Sequence, residues 1–247
     1  MKITLEICCG SYIDAVNACK NGANRIELNS ALDLGGLTPS VASLKLIKKD
    51  YDIPVVSMIR MRAGGFCYLE EEYMQMYEEA KALIEAGTDS ICFGFLNEDY
   101  TLDIKHMMPL INLCKEHNIP YVFHRAFDLV NDPFKVTEEL IELGFTRILT
   151  SGLKAKAYEG KDTIKELQEK YGSKIEFLAG SGVNKTNACE LIKYTKINQV
   201  HSSAKDYFVD KTTTNNDVSY NYLENDKIEY VNGAIVRELR DVLNTIE

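Results

Sequence analysis

The sequence lacks a paired cysteine motif, a cluster of basic residues and a long apolar run. Its seven cysteines never form a CxxC pair, which argues against a structural zinc site or a disulfide scaffold. Acidic residues outnumber basic ones 37 to 28 and give a net charge of −9, so neither nucleic acid nor an anionic membrane is expected as the main partner. No stretch approaches the about 18 apolar residues that a membrane span needs, and the N-terminus MKITLEICCG has too short an apolar run for a signal peptide. These absences predict a protein of the reducing cytoplasm.

Short apolar runs alternate with amphipathic stretches along almost the whole chain. The strand-like runs are residues 3–8, 25–29, 54–60, 89–94, 120–124, 146–150, 175–179 and 198–202. The helix-like stretches are residues 11–22, 39–50, 70–87, 103–117, 133–144, 160–171, 184–195 and 230–245. Strict alternation requires parallel strands, because each helix must carry the chain back across the sheet. Eight such units in 247 residues predict an α/β fold, a closed (β/α)8 barrel of the TIM type.

No change in composition divides the chain, so residues 1–247 are expected to form a single barrel domain. The one irregular segment is residues 205–229, which is polar and longer than an ordinary connection. We interpret it as a long loop between the eighth strand and the closing helix, either a solvated excursion or a lid or subunit arm.

Polar side chains fall at inward-facing positions of several predicted strands. Residues two apart share a face of a strand, so Glu6 and Cys8 are predicted to face the barrel interior. These charged and polar groups are expected to meet near the carboxyl ends of the strands, where such barrels have their active sites. Unpaired charges there would be costly, so they must pair with a ligand or with one another in a plain ion-pair network. The other sets predicted to share a face are Glu27 with Asn29, Met58 with Arg60 and Arg62, Val122 with His124, and Gln199 with His201.

The stretch IPYVFHRAFD (119–128) places three chemically active side chains directly after a strand. His124 supplies an imidazole, Arg125 a cation and Asp128 a carboxylate within five positions. We interpret this strand end as part of a site rather than an ordinary turn. For His124 alone, a buried and satisfied core position is an equal alternative.

Loops after the last predicted strands carry small residues suited to anion binding. AGSGV (179–183) leads into a helix predicted from residue 184, and HSSA (201–204) follows the eighth strand. Glycines let backbone N–H groups approach an anion, and a helix N-terminus adds its positive dipole end. In barrels, these two loops are the usual phosphate site. The candidate anion-binding residues of these loops and of TSG (150–152) are Ser151, Gly180, Gly182, Ser202 and Ser203.

Several motifs taken together resemble the CutC family, which is named for copper homeostasis. The resemblance covers roughly residues 3–204 and implies a cytoplasmic (β/α)8 barrel that assembles as a homo-oligomer and has a role in copper tolerance. The motifs are NGANRIELNSALDLGGLTPS (21–40), IRMRAGGFCY (59–68), VFHRAFD (122–128), RILTSG (147–152), AGSGV (179–183) and VHSSA (200–204).

The same resemblance implies copper(I) binding by cysteines near the start of the barrel, with Cys8 at one ligand position. Many family members have a second Cys where this chain has Asn29, so the soft thiolate pair that copper(I) favours is absent here. The family pattern RPRGGDF reads RMRAGGF, so Gly65 replaces an acid while Arg60 and Arg62 remain. The expected copper(I) site is therefore a weakened one.

Two functions of different classes remain open, with a non-catalytic scaffold or sensor as a third. In the first, the protein binds copper(I) through Cys8 as part of copper homeostasis. In the second, it is an enzyme of unknown reaction that acts on an anionic, phosphorylated or carboxylated small molecule. The enzyme would use His124 or His201 as general acid–base, Glu6 and Glu27 to orient a His or bind substrate, and Arg60, Arg62, Arg125 and Asp128 around the anion.

Overall fold

The computed structural model describes residues 3–221 and 227–246. Within these ranges eight barrel strands alternate with eight α-helices, as the sequence predicts. The barrel strands are β1 (Thr4–Cys9), β2 (Arg25–Leu28), β3 (Val55–Met58), β4 (Ser90–Phe93), β5 (Tyr121–Phe123), β6 (Arg147–Thr150), β7 (Glu176–Ala179) and β8 (Gln199–Ser202). The helices are α1 (Tyr12–Lys20), α2 (Val41–Asp50), α3 (Glu70–Glu85), α4 (Ile104–His117), α5 (Pro133–Leu143), α6 (Lys161–Tyr171), α7 (Ala188–Thr195) and α8 (Gly233–Asn244).

The eight strands form a closed parallel barrel, which confirms the predicted TIM-type fold. Each strand pairs with the next along the chain, and β8 pairs with β1 to close the barrel. In the closing pair Glu6 lies opposite His201, and in the β1–β2 pair Cys8 lies opposite Glu27. Polar residues that are far apart in sequence therefore become neighbours across strands.

Alternation along the strands separates two apolar layers. Leu5 and Ile7 of β1 are fully buried in the large layer between the barrel and its helices. A second, smaller apolar cluster lies inside the barrel along β3, β4 and β5. Its members are Val56, Met58, Cys92 and Val122.

Three glycines lie just past the ends of helices, and the second helix begins later than predicted. Gly22, Gly87 and Gly144 all have φ near +90° to +100° just past a helix, a conformation that glycine adopts without a Cβ clash. The second helix begins at Val41 rather than at residue 39, because the Ser40 hydroxyl accepts the N–H of Ser43 and so caps the helix one residue later than the proline.

The segment predicted as a long loop, residues 205–229, contains regular structure at both ends. Strand β9 (Lys205–Val209) pairs antiparallel with β10 (Lys227–Val231) in a two-stranded ribbon outside the barrel. The prediction of a loop was wrong at these positions, because the short runs KDYFV and KIEYV carry the aromatic and β-branched residues that favour strands. Residues 222–226 of this segment lie outside the described part of the chain. Among the described helices, none is long and apolar enough to cross a membrane.

Candidate metal centre

Three potential metal ligands from three adjacent strands converge inside the barrel. Cys8 on β1, Glu27 on β2 and His201 on β8 each offer one ligand atom, and these atoms lie within 4.8 Å of one another. Oε2 of Glu27 is 3.6 Å from Sγ of Cys8 and 3.9 Å from Nε2 of His201. The pairing of β1 with both β2 and β8 brings the three together, so strand order and register alone build this cluster.

Glu6 connects the cluster to a polar network at the amino-terminal end of the strands. Its Oε1 lies 2.7 Å from Nδ1 of His201, and its Oε2 pairs with the guanidinium of Arg25. Arg25 also donates from Nη2 to Oε1 of Gln199 over 2.7 Å. Burial alone would raise the pKa of Glu6, but Arg25 and His201 outweigh it and hold the pKa well below its usual value. Glu6 is therefore an ionised, fully engaged carboxylate.

The surroundings of the cluster affect the pKa of the Cys8 thiol and that of the His201 imidazole in different ways. Burial, followed by the neighbouring Glu27 carboxylate, raises the pKa of the Cys8 thiol well above its usual value. A metal ion held by the Cys8 thiolate would have to displace the thiol proton, which would leave to solvent or to a neighbouring base. Burial lowers the pKa of His201, yet Glu27 and Glu6 outweigh burial and raise it overall. A cation at this position is thus favoured by two carboxylates.

Asn29 lies beside the cluster, at the position where the family resemblance implies a second cysteine. Its Nδ2 donates to Oε2 of Glu27 over 3.0 Å and to Sγ of Cys8 over 3.4 Å. The amide thus contacts two of the three potential ligands without adding a soft donor of its own. Met58 and Cys92 pack with valines in the apolar interior cluster, which is consistent with a packing role for them.

The guanidinium of Arg60 contacts backbone rather than an open anion site. Nη1 donates to the carbonyls of Leu34 and Gly36, each over 3.1 Å, and Nη2 donates to that of Gly64 over 2.8 Å. These bonds hold the loops after β2 and β3 over the barrel opening. Nε is the buried guanidinium nitrogen without a partner among the described residues, and the predicted role of Arg60 at an anion stays a prediction.

His124 is buried, with only 3% of its surface exposed, and only one of its ring nitrogens is occupied. Nδ1 accepts the backbone N–H of Ala126 over 3.2 Å, whereas Nε2 has no partner within the described chain. The ring packs against Phe66 at a centroid distance of 4.7 Å. Burial, with the positive charge of Arg60 in support, lowers the pKa of His124 to about 3. His124 is therefore neutral at pH 7 and carries its proton on Nε2.

Arg125, Asp128 and Ser151 form a network of their own. Nε of Arg125 lies 2.7 Å from Oδ2 of Asp128, and its Nη2 donates to the Ser151 hydroxyl over 2.9 Å. Asp128 also accepts the Ser151 backbone N–H over 2.9 Å and the Thr150 hydroxyl over 2.6 Å. These bonds fix the loop after β6 to the turn after β5. The predicted anion-binding roles of the three residues stay predictions, since their polar groups already bind each other.

Arg62 does not join the barrel opening as the shared strand face suggested. Strand β3 ends at Met58, so the alternation that placed Arg62 inward no longer applies four residues later. Its guanidinium pairs with Glu72 of α3, Nε to Oε1 over 2.5 Å, and its side chain is 39% exposed. The structure thus places the Arg62 guanidinium against α3, and its predicted role at an anion stays a prediction.

The helix after β7 begins later than predicted, and the phosphate site expected in the loops after β7 and β8 stays a prediction. Helix α7 begins at Ala188 rather than at residue 184, and the carbonyl of Gly182 accepts the side-chain amide of Asn187 over 2.9 Å. Gly180 packs closely against the Leu149 side chain, whose Cδ1 would lie 2.6 Å from a Cβ at this position. Ser202 donates to the carbonyl of Val183 over 2.8 Å. Ser203 follows the end of β8 and is half-buried.

Sequence reasoning missed the charged residues at the opposite end of the barrel. Arg25, Arg147 and Glu176 are the first residues of β2, β6 and β7. Arg147 pairs with Glu176, Nε to Oε2 over 3.0 Å, and burial and then Arg25 lower its pKa. The same two-residue alternation that placed Glu27 inward also applies to Arg25. These charges were overlooked because all inward charges were expected at the carboxyl ends of the strands.

The closed parallel barrel and its inward Cys–Glu–His cluster define a (β/α)8-barrel protein with a candidate metal site. The sequence pattern of the CutC family matches residues 3–206. The chain is 50% identical to a family protein CutC of Treponema denticola over 202 residues, which is 82% of this chain and 81% of that protein. It is 41% identical to a copper homeostasis protein cutC homolog of Caenorhabditis elegans over 82% of this chain and 81% of that protein. The chain belongs to the CutC family.

Solved structures agree with this assignment. A CutC protein from Streptococcus agalactiae superposes with a TM-score of 0.77 at 31% identity, covering 81% of this chain and 98% of that one. Thiamine phosphate pyrophosphorylase from Pyrococcus furiosus superposes over 99% of this chain and 96% of its own, with a TM-score of 0.58 at 13% identity. The second similarity shows the barrel fold alone.

Proposed function

We propose that this CutC family protein binds copper(I) as part of copper homeostasis, with Cys8 and His201 as ligands and Glu27 beside them. The observation that carries the proposal is the convergence of these three ligand atoms within 4.8 Å inside the barrel. Relatives named copper homeostasis protein support the choice of ion. A thiolate and an imidazole suit copper(I), whereas a carboxylate suits harder ions and is also a common ligand of zinc.

We also propose that the protein acts in the cytoplasm and as a homo-oligomer. All seven cysteines are free thiols, which suits a reducing compartment. Exposed apolar residues such as Ile13, Phe208 and Ile228 support association between copies. Size-exclusion chromatography with light scattering measures the oligomeric state directly.

Copper(I) binding is tested by titrating the reduced, anaerobic protein against a chelator of known copper(I) affinity. The wild-type protein is expected to compete for one ion, and Cys8→Ser is expected to lose this competition because it lacks the thiolate. Asn29→Cys is expected to bind copper(I) at least about tenfold more tightly. Removing a residue that only hydrogen-bonds to a ligand lowers metal affinity about 10- to 100-fold, and a residue that binds the ion directly contributes more. The new thiol would stand beside Sγ of Cys8, which is now 3.4 Å from the amide nitrogen.

The matched control is Cys67→Ser, which removes an exposed thiol away from the cluster and is expected to leave the affinity unchanged. A wild-type protein that fails to compete contradicts the proposal. So does a Cys8→Ser variant that binds as tightly as the wild type.

A second candidate function, an enzyme acting on an anionic small molecule, is favoured by one specific observation. Nε2 of His124, Nε of Arg60 and Oδ1 of Asn29 are buried and have no hydrogen-bond partner among the described residues. Because His124 is neutral and its Nδ1 accepts a backbone N–H, Nε2–H is a donor. A neutral imidazole donor polarises a carbonyl or binds a carboxylate oxygen, rather than acting as a general base.

Nitrogen-15 NMR of the imidazoles, during titration with acetate and then inorganic phosphate, tests the second function. A saturable shift of the Nε2–H resonance of His124 is expected, while that of the exposed His117 stays unchanged. A His124 resonance that does not respond to either anion contradicts it.

A further inference from the structure

The two ring nitrogens of His201 have different surroundings. Nδ1 lies 2.7 Å from Oε1 of Glu6, whereas Nε2 faces the metal cluster, 3.9 Å from Oε2 of Glu27. We propose that Glu6 is a positioning residue of the metal site, which accepts the Nδ1–H of His201 and so directs the Nε2 lone pair towards Cys8 and Glu27. This inference rests on the proposed metal binding.

The carboxylate of Glu6 is fixed in place on both of its oxygens. Oε1 contacts His201, and Oε2 is paired with the guanidinium of Arg25. Arg25 in turn donates to Oε1 of Gln199 over 2.7 Å and so cannot turn away without losing that bond. Glu6 is 2% exposed, so water does not compete for these contacts. The orientation of the His201 ring is thereby determined from the end of the barrel opposite to the opening.

The chemistry of the contact leaves one tautomer for a neutral His201. An ionised carboxylate only accepts hydrogen bonds, so the nitrogen that faces Glu6 must carry the proton. Nε2 then has a free lone pair, which is the requirement for binding a metal ion. Metal-binding histidines usually donate their other ring N–H to a carboxylate or carbonyl in this way. Glu6 contributes to the metal site without touching the ion.

The tautomer is measured by nitrogen-15 NMR of His201, first in the metal-free protein at a pH where the ring is neutral, then in the copper(I)-loaded protein. Protonated Nδ1 and unprotonated Nε2 are expected in the first state, and Nε2 bound to the ion in the second. A neutral ring protonated at Nε2, or an ion bound through Nδ1, overturns the proposal. This readout needs no variant, so it decides the question even if a substitution at Glu6 prevents folding.

The variant Glu6→Gln tests the consequence for affinity. The amide oxygen is expected to stay with the positively charged Arg25, which turns the amide N–H₂ towards His201 and moves the ring proton to Nε2. Copper(I) affinity should then fall by about 10- to 100-fold, the usual effect of removing such a partner. The nitrogen-15 spectrum should report the changed tautomer in the same sample.

The matched control is Glu176→Gln. Glu176 belongs to the same polar end of the barrel and pairs with Arg147, but its contacts do not include His201. It is expected to leave both affinity and tautomer unchanged. Unchanged affinity in Glu6→Gln, or an equal loss in both variants, overturns the proposal. A wild-type protein that binds no copper(I) contradicts the proposed function instead, and the metal-free tautomer then still shows whether Glu6 orients the ring.

Discussion

The interior of the barrel has two sides that are chemically opposite. Along β1, β2 and β8 it carries a carboxylate, a thiol and an imidazole in contact, whereas along β3, β4 and β5 it carries a compact apolar cluster. Glu27 is 3% exposed and Met58 5%, so exposure to solvent does not explain the contrast. Both sides follow from the same two-residue alternation along parallel strands.

The contrast shows how a barrel can hold several ionisable groups in its core. A buried charge is tolerated when its partners are within hydrogen-bond reach. Glu6 meets this condition because Arg25 and His201 lie on the two strands that pair with β1. The apolar side needs no such partners and contributes through packing. The potential metal ligands thus lie on β1, β2 and β8, and the apolar packing cluster lies on the neighbouring strands β3, β4 and β5.

The largest expected effect comes from breaking the polar side. Arg25→Met leaves the buried Glu6 carboxylate without its cation, and breaking a buried ion pair costs about 3–5 kcal/mol of unfolding free energy. Urea unfolding at pH 7, followed by circular dichroism, measures this loss. The side-chain exposures of 12% for Arg25 and 2% for Glu6 are what make the pair a buried one.

Two controls make this comparison sharper. Lys185→Met removes an exposed partner of Glu238 and is expected to change stability by only about 0–1 kcal/mol. Met58→Leu alters the apolar side at similar volume, with an expected cost below about 1.5 kcal/mol and unchanged copper(I) affinity. If Arg25→Met loses no more unfolding free energy than Lys185→Met, the buried pair of Arg25 and Glu6 does not stabilise the polar side.

A smaller effect separates the two buried imidazoles. Burial and Arg60 lower the pKa of His124 to about 3, while Glu27 and Glu6 overcome burial and raise that of His201. The stability that His124 contributes is complete above its unfolded pKa of about 6.5. It is lost as the pH falls from there towards the folded value, with a slope of up to about 1.4 kcal/mol per pH unit. His201 has the opposite sign: its contribution is complete below the unfolded pKa and lost as the pH rises through the raised one.

The variant His124→Phe should lack the part of the acid slope that belongs to His124. Unfolding free energies of wild type and variant, measured by urea denaturation from neutral pH down to pH 4.5, give the two slopes. The slopes matter rather than the absolute values, since the variant also loses the bond from Ala126. His117→Gln, at an exposed position of α4, is the control and should keep the wild-type slope. Parallel slopes for wild type and His124→Phe would contradict a depressed pKa.

The sequence predicted the barrel and most of its interior, because both depend on local periodicity. Eight strand–helix units and the inward positions of Glu6, Cys8, Glu27 and His201 follow from alternation within regular strands. The surroundings of Arg60 and Arg62 were not predictable in this way, because both residues follow the end of β3. Beyond Met58 the pleat no longer determines direction, and Arg60 is oriented by three backbone carbonyls that belong to the loops after β2 and β3.

Other features could not be predicted because their partners are far apart in the chain. The contact of Asn29 with Cys8 depends on the register between β1 and β2. The pairing of β9 with β10 requires the chain to fold back on itself within residues 205–229, and the composition of that segment suggested only a loop. The charges at the amino-terminal end of the strands were visible in the sequence, and the expectation of a site at one end only kept them out of the prediction.

The closing strand pair has a consequence for when the proposed metal site can form. Glu6 and His201 lie 195 positions apart in the sequence, and the approach of His201 to Cys8 and Glu27 depends on the same closure. A chain emerging from the ribosome presents Cys8 and Glu27 early, but the imidazole arrives only with the eighth strand. If the proposed site binds copper(I), loading would follow completion of the barrel, and the bound ion would then hold the first and last strands together. In this protein, occupancy of the site would report that synthesis and folding have finished.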